Sequence, residues 1–207
     1  MDTDPHRIAD LAALRSLYGE PGVTSLAKEV DHVHPHYRAI IEKSPFAVLA
    51  TVGPDGLDAS PRGDPPGFVV VQDEKTLLMP DRRGNNRIDS LRNIVADPRV
   101  ALLFMTPGIG ETLRVNGRAT LTADPALRER FVMDGKLPTL VVRIAVETVF
   151  FQCARAIKRA RLWDPAAQIT RDAVPSPGRI LGELSAHAVD GEQYDRELQA
   201  RQAATMY

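Results

Sequence analysis

The sequence is organised around residues 79–87, MPDRRGNNR, and residues 59–64, ASPRGD, two polar segments that each end an apolar, strand-like run. We expect both segments to be arginine-bearing loops. The first leads into an amphipathic helix running to about Ala96, so free helix N–H groups and a positive dipole end lie beside Arg87. Arg62 can approach the same anion, because a guanidinium matches phosphate oxygens in pairs. The two segments therefore predict a phosphate site.

The length and composition of the sequence exclude several classes of protein. Its 207 residues predict one domain with terminal additions and a core that needs neither disulfides nor a structural metal. Lysine and arginine (26) nearly balance aspartate and glutamate (27), so no basic field favours nucleic acid or acidic membranes. The longest apolar runs have strand length and the N-terminus is polar, so we expect no transmembrane span and no secretory signal. The single Cys153 fits a reducing cytoplasm.

Hydrophobic periodicity predicts six or seven strands with short helices inserted between them. Phe46–Val52 is a β-rich apolar run, and the GPDG sequence at residues 53–56 supplies a hairpin turn. A later alternating strand carries a possible bulge at Asn116-Gly117. Asp124-Pro125 is typical of a helix start. This pattern favours an antiparallel barrel, mainly β with α, over a parallel doubly wound sheet.

Helical extensions flank the predicted barrel. We expect an N-terminal helical extension over residues 1–44, with its first helix beginning after Asp4-Pro5. The barrel domain is predicted over residues 45–165. A C-terminal helical extension over residues 166–207, with a helix start at Ser176-Pro177, is expected to pack on the barrel or on a dimer partner.

The order of motifs resembles a known family. A strand, Ser-Pro-Arg-Gly-Asp-Pro, a strand, Pro-Asp-Arg-x-Gly-Asn-Asn-Arg and a helix follow one another as in the FMN-binding split-barrel flavoproteins related to pyridoxamine 5'-phosphate oxidase. The resemblance covers roughly Ser44 to Pro165. It implies an antiparallel FMN-binding split β-barrel with flanking helices, an α+β fold, and a homodimer with FMN at its interface. The residues implied to bind FMN from the two segments are Ser60, Arg62, Gly63, Pro80, Asp81, Asn85, Asn86 and Arg87.

A basic segment follows the last long strand at residues 151–163. By itself it predicts a short helix with a solvated basic face. Its end, Arg161-Leu162-Trp163-Asp164, resembles the Arg-Leu-His-Asp of the oxidase, so the resemblance implies that Lys158, Arg161 and Trp163 approach the flavin of the partner subunit. Trp163 stands where the oxidase has a histidine that helps to hold substrate. This departure argues against pyridoxamine 5'-phosphate oxidase activity itself.

The resemblance implies an FMN-dependent oxidoreductase that acts on a small organic substrate or takes electrons from a reduced nicotinamide. Two alternatives stay open: a non-catalytic flavin- or haem-binding carrier or sensor, and a deazaflavin-dependent reductase. Leu140–Phe151 has two largely hydrophobic faces, more than one barrel interior can use, and so predicts a homodimer. Asp81 either accepts a hydrogen bond from a flavin N–H or caps its loop.

Other candidate residues carry weaker signals. His32, His34 and His36 are spaced so that they share no helix face, and no carboxylate or thiol completes the set, so no metal site is expected. Cys153 is interpreted as a small buried filler rather than a reactive thiol. His187 could ligate haem in a split-barrel haem protein, but a surface position is expected. Dinucleotide, P-loop, nucleophile-elbow and zinc motifs do not occur in the sequence.

Overall fold

A computed structural model describes residues 4–207 of the chain. Over that range the chain forms seven β-strands and eight α-helices. The strands are β1 Phe46–Gly53, β2 Gly56–Gly63, β3 Val70–Asp73, β4 Thr76–Asp81, β5 Arg99–Met105, β6 Thr112–Thr122 and β7 Leu140–Gln152. The helices are α1 Leu11–Ser16, α2 Val23–Ala27, α3 Pro35–Lys43, α4 Asp89–Ala96, α5 Pro125–Glu129, α6 Arg155–Ala160, α7 Pro177–Leu184 and α8 Gly191–Thr205.

The seven strands form one antiparallel sheet in the order β2-β1-β5-β6-β7-β4-β3. Strands β2 and β3 lie at its two ends, so the sheet is a split barrel rather than a closed one. Hairpins connect β1 to β2 and β3 to β4, at the turns that the glycine, proline and acidic residues predict. The expected α+β antiparallel split barrel with flanking helices is confirmed.

The longest strand pair, β6 with β7, contains the predicted bulge. Its register shifts between Asn116 and Gly117. A Cβ atom at Gly117 would lie 2.1 Å from the carbonyl oxygen of Ala145, so a side chain cannot be accommodated there. The bulge bends both strands around the core.

One hydrophobic core fills the inside of the curved sheet. Strands β1 and β5 alternate buried and partly exposed residues, as half-buried strands do. Helix α3 contributes the fully buried Ile41, and α4 contributes Ile94. The largest fully buried side chains include Phe104, Leu49, Leu77, Met79, Leu102, Leu113 and Ile144.

Strand β7 has one apolar face, not two. Its inward residues are buried, whereas Arg143, Ala145 and Glu147 on the other face are exposed. The expectation of two largely hydrophobic faces was therefore wrong for the middle of this strand, because alternate positions there are charged or small. At the end of the strand, Phe151 is 36% exposed.

The terminal helices differ in how closely they pack. Helices α1 and α2 bury no residue. The first helix begins at Leu11, where the Asp10 side chain accepts from the Ala13 amide, so a start after Asp4-Pro5 was wrong. Helices α7 and α8 pack on each other, because the Asp195 carboxylate accepts from the Ser176 hydroxyl and from the Gly178 amide at 2.8 Å.

Other predicted helix starts are confirmed at Asp124-Pro125 and Ser176-Pro177, where each side chain caps its helix. The division of the chain at residues 44 and 165 stays a prediction. None of the helices in residues 4–207 is both long enough and apolar enough to cross a membrane.

Candidate anion site between β2 and the N-terminus of α4

Strand β2 supplies one wall of the candidate site. Asp58, Ser60 and Arg62 alternate along it and share one face, because strand side chains repeat every two residues. The segment from Ser60 to Gly63 was expected to be a loop. It lies inside the strand instead, since each of its residues pairs with a residue of β1.

The opposite wall is the segment between β4 and α4. Pro80 and Asp81, also expected in a loop, end strand β4 and pair with β7. Asn86 and Ile88 have left-handed backbone conformations, with φ of 60° and 53°. The Asn85 Oδ1 atom accepts from the Arg87 amide at 3.1 Å.

These turns lead the chain into the first turn of α4, and no side chain caps that helix. The predicted helix start beside Arg87 is confirmed to within two residues. The N–H groups of its first turn are donors that an anion can use.

A cavity of about 270 Å³ lies between the two walls. It brings together six predicted residues, namely Ser60, Arg62, Asp81, Asn85, Asn86 and Arg87. Gly63 and Pro80 line an adjoining cavity that shares Ser60, Arg62 and Asn85 with the first. The segments that are separated in sequence therefore meet in one place, as the phosphate hypothesis requires.

Three arginines of the cavity differ in the hydrogen bonds and ion pairs that their side chains make. Arg87 donates from Nε to the Asp89 carboxylate at 2.8 Å and remains 74% exposed. Arg62 makes only a long 3.4 Å contact with the Pro61 carbonyl oxygen. Within residues 4–207 the Arg83 side chain has neither a hydrogen bond nor an ion pair. Arg62 and Arg83 thus have donors free for a ligand.

Carboxylates also line the cavity. Burial raises the pKa of Asp81 above its ordinary value, and the nearby charge of Arg62 opposes that rise. The Asp58 carboxylate accepts from the Ser90 hydroxyl at 2.6 Å, and Ser90 is only 4% exposed. Ser90 lies in the first turn of α4, so Asp58 occupies one donor at the helix N-terminus.

Sequence reasoning missed several lining residues: Asp58, Arg82, Arg83, Gly84, Ser90 and Thr139. Asp58 could have been found, because it precedes Ser60 and Arg62 at strand spacing. Arg83 could also have been found from its place in the predicted loop. Thr139 lies more than fifty residues after Arg87 in the sequence, and no local pattern indicates that it lines the cavity.

The basic segment lies elsewhere in the same chain. Lys158, Arg161 and Trp163 line neither cavity. The Arg161 guanidinium donates to Asp164 at 2.7 Å and 3.0 Å, and the Trp163 indole donates to the Ile109 carbonyl oxygen at 2.7 Å. One chain therefore does not assemble these three residues with the anion site.

The remaining candidates occupy surface positions. Cys153 is exposed, so the expectation of a buried filler was wrong: it follows the end of β7 rather than lying within the strand. His187 is exposed with φ of 64°. His34 accepts from the His36 amide through Nδ1 at 3.2 Å, and His32 contacts Asp31 at 3.0 Å.

The family model for pyridoxamine 5'-phosphate oxidase matches residues 33–153, more than half of the chain. The chain belongs to the pyridoxamine 5'-phosphate oxidase family. The matched range spans all seven strands and both walls of the candidate anion site. No curated protein matches the chain in sequence.

Solved structures of bacterial proteins resemble this family member. HupZ from Group A Streptococcus is 21% identical, with a TM-score of 0.48, over 58% of this chain and 94% of its own. A candidate pyridoxamine 5'-phosphate oxidase from Lactobacillus delbrueckii is 21% identical, with a TM-score of 0.46, over 58% and 95%. General stress protein 26 from Bacillus anthracis is 18% identical, with a TM-score of 0.42, over 55% and 88%. At these identities the likeness concerns the fold alone.

Proposed function

We propose that the protein is an FMN-dependent oxidoreductase of the pyridoxamine 5'-phosphate oxidase type. One observation carries the proposal. In a member of this family, the uncapped N-terminus of α4 faces Arg62 across a cavity lined by residues from two distant segments. Helix N–H groups and an uncommitted guanidinium are the donors that a phosphate monoester needs.

The residues fit the phosphate end of FMN. Arg62, Arg83 and Arg87 supply charge, and the amides of the first turn of α4 supply directed donors. A volume of about 270 Å³ is slightly below the range of roughly 300–1,000 Å³ that is usual for whole ligands. The flavin ring would therefore lie beyond this cavity. When bound, FMN supplies the ability to accept and donate a hydride or single electrons.

We propose further that the ring lies at the interface of a homodimer. Support comes from the basic segment, because Lys158, Arg161 and Trp163 line neither cavity of their own chain. Ile109, whose carbonyl oxygen contacts Trp163, is 47% exposed, and the basic segment itself exposes Leu162 at 45% and Phe151 at 36%. A second subunit covering this surface would bring Lys158, Arg161 and Trp163 to the partner's cofactor.

Trp163 bears on which substrate is used. Its indole N–H is already bonded to the Ile109 carbonyl oxygen. An indole has one donor and no acceptor, so this side chain cannot replace a histidine that binds a phosphorylated substrate. The proposed substrate is accordingly a small organic molecule other than pyridoxamine 5'-phosphate, with reduced nicotinamide as electron donor.

The absorbance spectrum of the purified protein is the first test, because flavin and haem bands differ. Titrations with FMN, FAD and riboflavin then measure what the phosphate contributes, and FMN is expected to bind most tightly.

Arg62→Ala and Arg87→Ala should each weaken FMN binding about tenfold or more, since a charge-assisted hydrogen bond is worth roughly 1.5–3 kcal/mol. Arg179→Ala, on α7 and outside the cavity, is the matched control. Wild-type affinity in both cavity variants refutes the phosphate assignment.

Turnover separates an enzyme from a carrier. Stopped-flow bleaching of the flavin band by a reduced nicotinamide, followed by reoxidation, is expected for an oxidoreductase. A bound flavin that no donor reduces supports the carrier or sensor, and preferential binding of a deazaflavin supports the third possibility.

Subunit mixing tests the shared site. A heterodimer of Arg62→Ala and Arg161→Ala subunits should regain one intact site of two. Two damaged sites, or a monomer by light scattering at micromolar concentration, would exclude the shared arrangement.

A further inference from the structure

We propose that Arg82 is a positioning residue that holds the two walls of the anion site together through Asp64, and that it does not bind the anion itself. This inference rests on the proposed function of the site. Arg82 lines the cavity beside Arg83 and Arg87, so position alone would make it a third phosphate ligand. Its contacts indicate a different role.

The sheet itself does not join the two walls, and the Ser90–Asp58 hydrogen bond links them at the α4 side of the cavity. Strand β2 is the first strand in the sheet order and β4 is the sixth, so no backbone ladder joins them. Arg82 follows β4, and Asp64 follows β2. The Arg82 Nε atom donates to the Asp64 Oδ2 atom at 2.6 Å across this split.

The pair is much less exposed than the Arg87–Asp89 ion pair, which also lines the cavity. Side-chain exposure is 17% for Arg82 and 2% for Asp64, against 74% and 41% for Arg87 and Asp89. A buried carboxylate holds its partner tightly, because water does not screen the pair or replace its hydrogen bonds. The Arg82 side chain is therefore held by Asp64, whereas the Arg87 side chain is free to move.

Both ends of the tie are anchored to further elements. A second donor of Arg82, its Nη1 atom, contacts the Phe131 carbonyl oxygen at 2.6 Å, at the end of the α5 region. The ring of Tyr207 lies 5.8 Å from the Arg82 Cζ atom. The Asp64 amide donates to the Pro45 carbonyl oxygen at 3.1 Å, just before β1. The guanidinium thus joins four parts of the chain around one edge of the cavity.

A positioning role and a ligand role make opposite predictions for Asp64. If Arg82 binds the phosphate, removing Asp64 releases the guanidinium and leaves binding unchanged or tighter. If Arg82 positions the walls, removing either partner weakens binding, and removing both does no further harm. The Arg82→Met, Asp64→Leu and Arg82→Met/Asp64→Leu variants form this cycle, and the double variant replaces the buried pair with apolar side chains that such sites tolerate.

The readout is the ratio of FMN affinity to riboflavin affinity, measured by flavin fluorescence. A general loss of stability lowers both affinities, whereas displaced phosphate contacts lower the ratio. We expect each single variant to lower the ratio about tenfold and the double variant to lower it no more than either single variant. Arg82→Lys, which retains the charge, should recover part of the ratio. Arg83→Met is the matched control. It should lower the FMN-to-riboflavin affinity ratio by the same factor in the wild-type and Asp64→Leu backgrounds.

Arg82 is instead a direct ligand if Arg82→Met lowers the ratio equally in both backgrounds while Asp64→Leu does not. An unchanged ratio in all three variants refutes the positioning role. Hydrogen exchange of the amides at residues 83–88 tests the positioning role without flavin. Arg82→Met should accelerate this exchange several-fold, whereas Arg83→Met should leave it unchanged. Equal exchange rates in the two variants also refute the positioning role of Arg82. A wild-type protein with no preference for FMN over riboflavin contradicts the proposed function, and the exchange measurement still decides the role of Arg82.

Discussion

Gly53→Ala tests how α4, and with it the anion site, is seated on the barrel. Gly53 ends β1 where Asn93 of α4 packs against it. A Cβ atom at this position would lie 2.0 Å from the Asn93 Oδ1 atom and 2.7 Å from its Cγ atom. Real carbon atoms do not approach this closely, so Asn93 must rotate or α4 must move.

Rotation of the Asn93 side chain should lower the free energy of unfolding. Its Nδ2 atom donates to the Thr51 Oγ1 atom at 3.0 Å, and Thr51 is only 2% exposed. Loss of that bond leaves a buried hydroxyl without its donor, which costs about 1–3 kcal/mol. For a chain of this size, each kcal/mol lowers Tm by about 2–4 °C. Thermal unfolding followed by circular dichroism measures this loss.

FMN affinity distinguishes the two responses. If only Asn93 rotates, the protein loses stability and keeps its affinity. If α4 moves, the helix N-terminus leaves the phosphate and affinity falls as well. Gly19→Ala is the control, because a Cβ atom there meets nothing within 4 Å. Gly53→Ala/Asn93→Ala should match Asn93→Ala alone. A Gly53→Ala protein as stable as wild type would falsify this description of the contact.

Two further predictions concern carboxylates of the cavity. Asp58→Ala should tighten the binding of inorganic phosphate roughly tenfold in calorimetry, because it frees the Ser90 hydroxyl and removes a negative charge; weaker binding would show that Asp58 itself helps to hold the ligand. Asp81→Asn should raise Tm at neutral pH, because burial raises the folded-state pKa of Asp81 and ionisation then opposes folding. That gain should disappear as the pH falls below the unfolded-state pKa of about 3.9, and a gain that persists in acid contradicts this cause.

Local signals predicted the local structure well. The turn at residues 53–56, the bulge at Asn116-Gly117 and the helix starts at Asp124-Pro125 and Ser176-Pro177 all lie where the sequence placed them. Each depends on conformational preferences of a few adjacent residues, which a sequence displays directly. Asp4-Pro5 has the same local signal as a helix start, but Asp10 provides the cap that the helix uses.

The errors at the site have a different origin. The polar segment at residues 59–64 was expected to be a loop that follows an apolar strand, yet Arg62 and Gly63 still pair with β1, because a strand at the end of the sheet tolerates proline and glycine. The tie between Arg82 and Asp64 depends on the closure of the barrel, which no window of sequence contains. Lys158, Arg161 and Trp163 line neither cavity of their own chain, and no local sequence pattern predicts that separation.

Pro61 at the end of the sheet also affects how the protein behaves in a crowded solution. An outer strand with unpaired N–H and C=O groups can recruit strands from other chains and so begin aggregation. Pro61 lacks an N–H group, and the flanking Ser60 and Arg62 are polar. β2 is therefore a poor template for a further strand. The residues that line the cavity therefore leave this strand edge exposed without making it a site for strand addition.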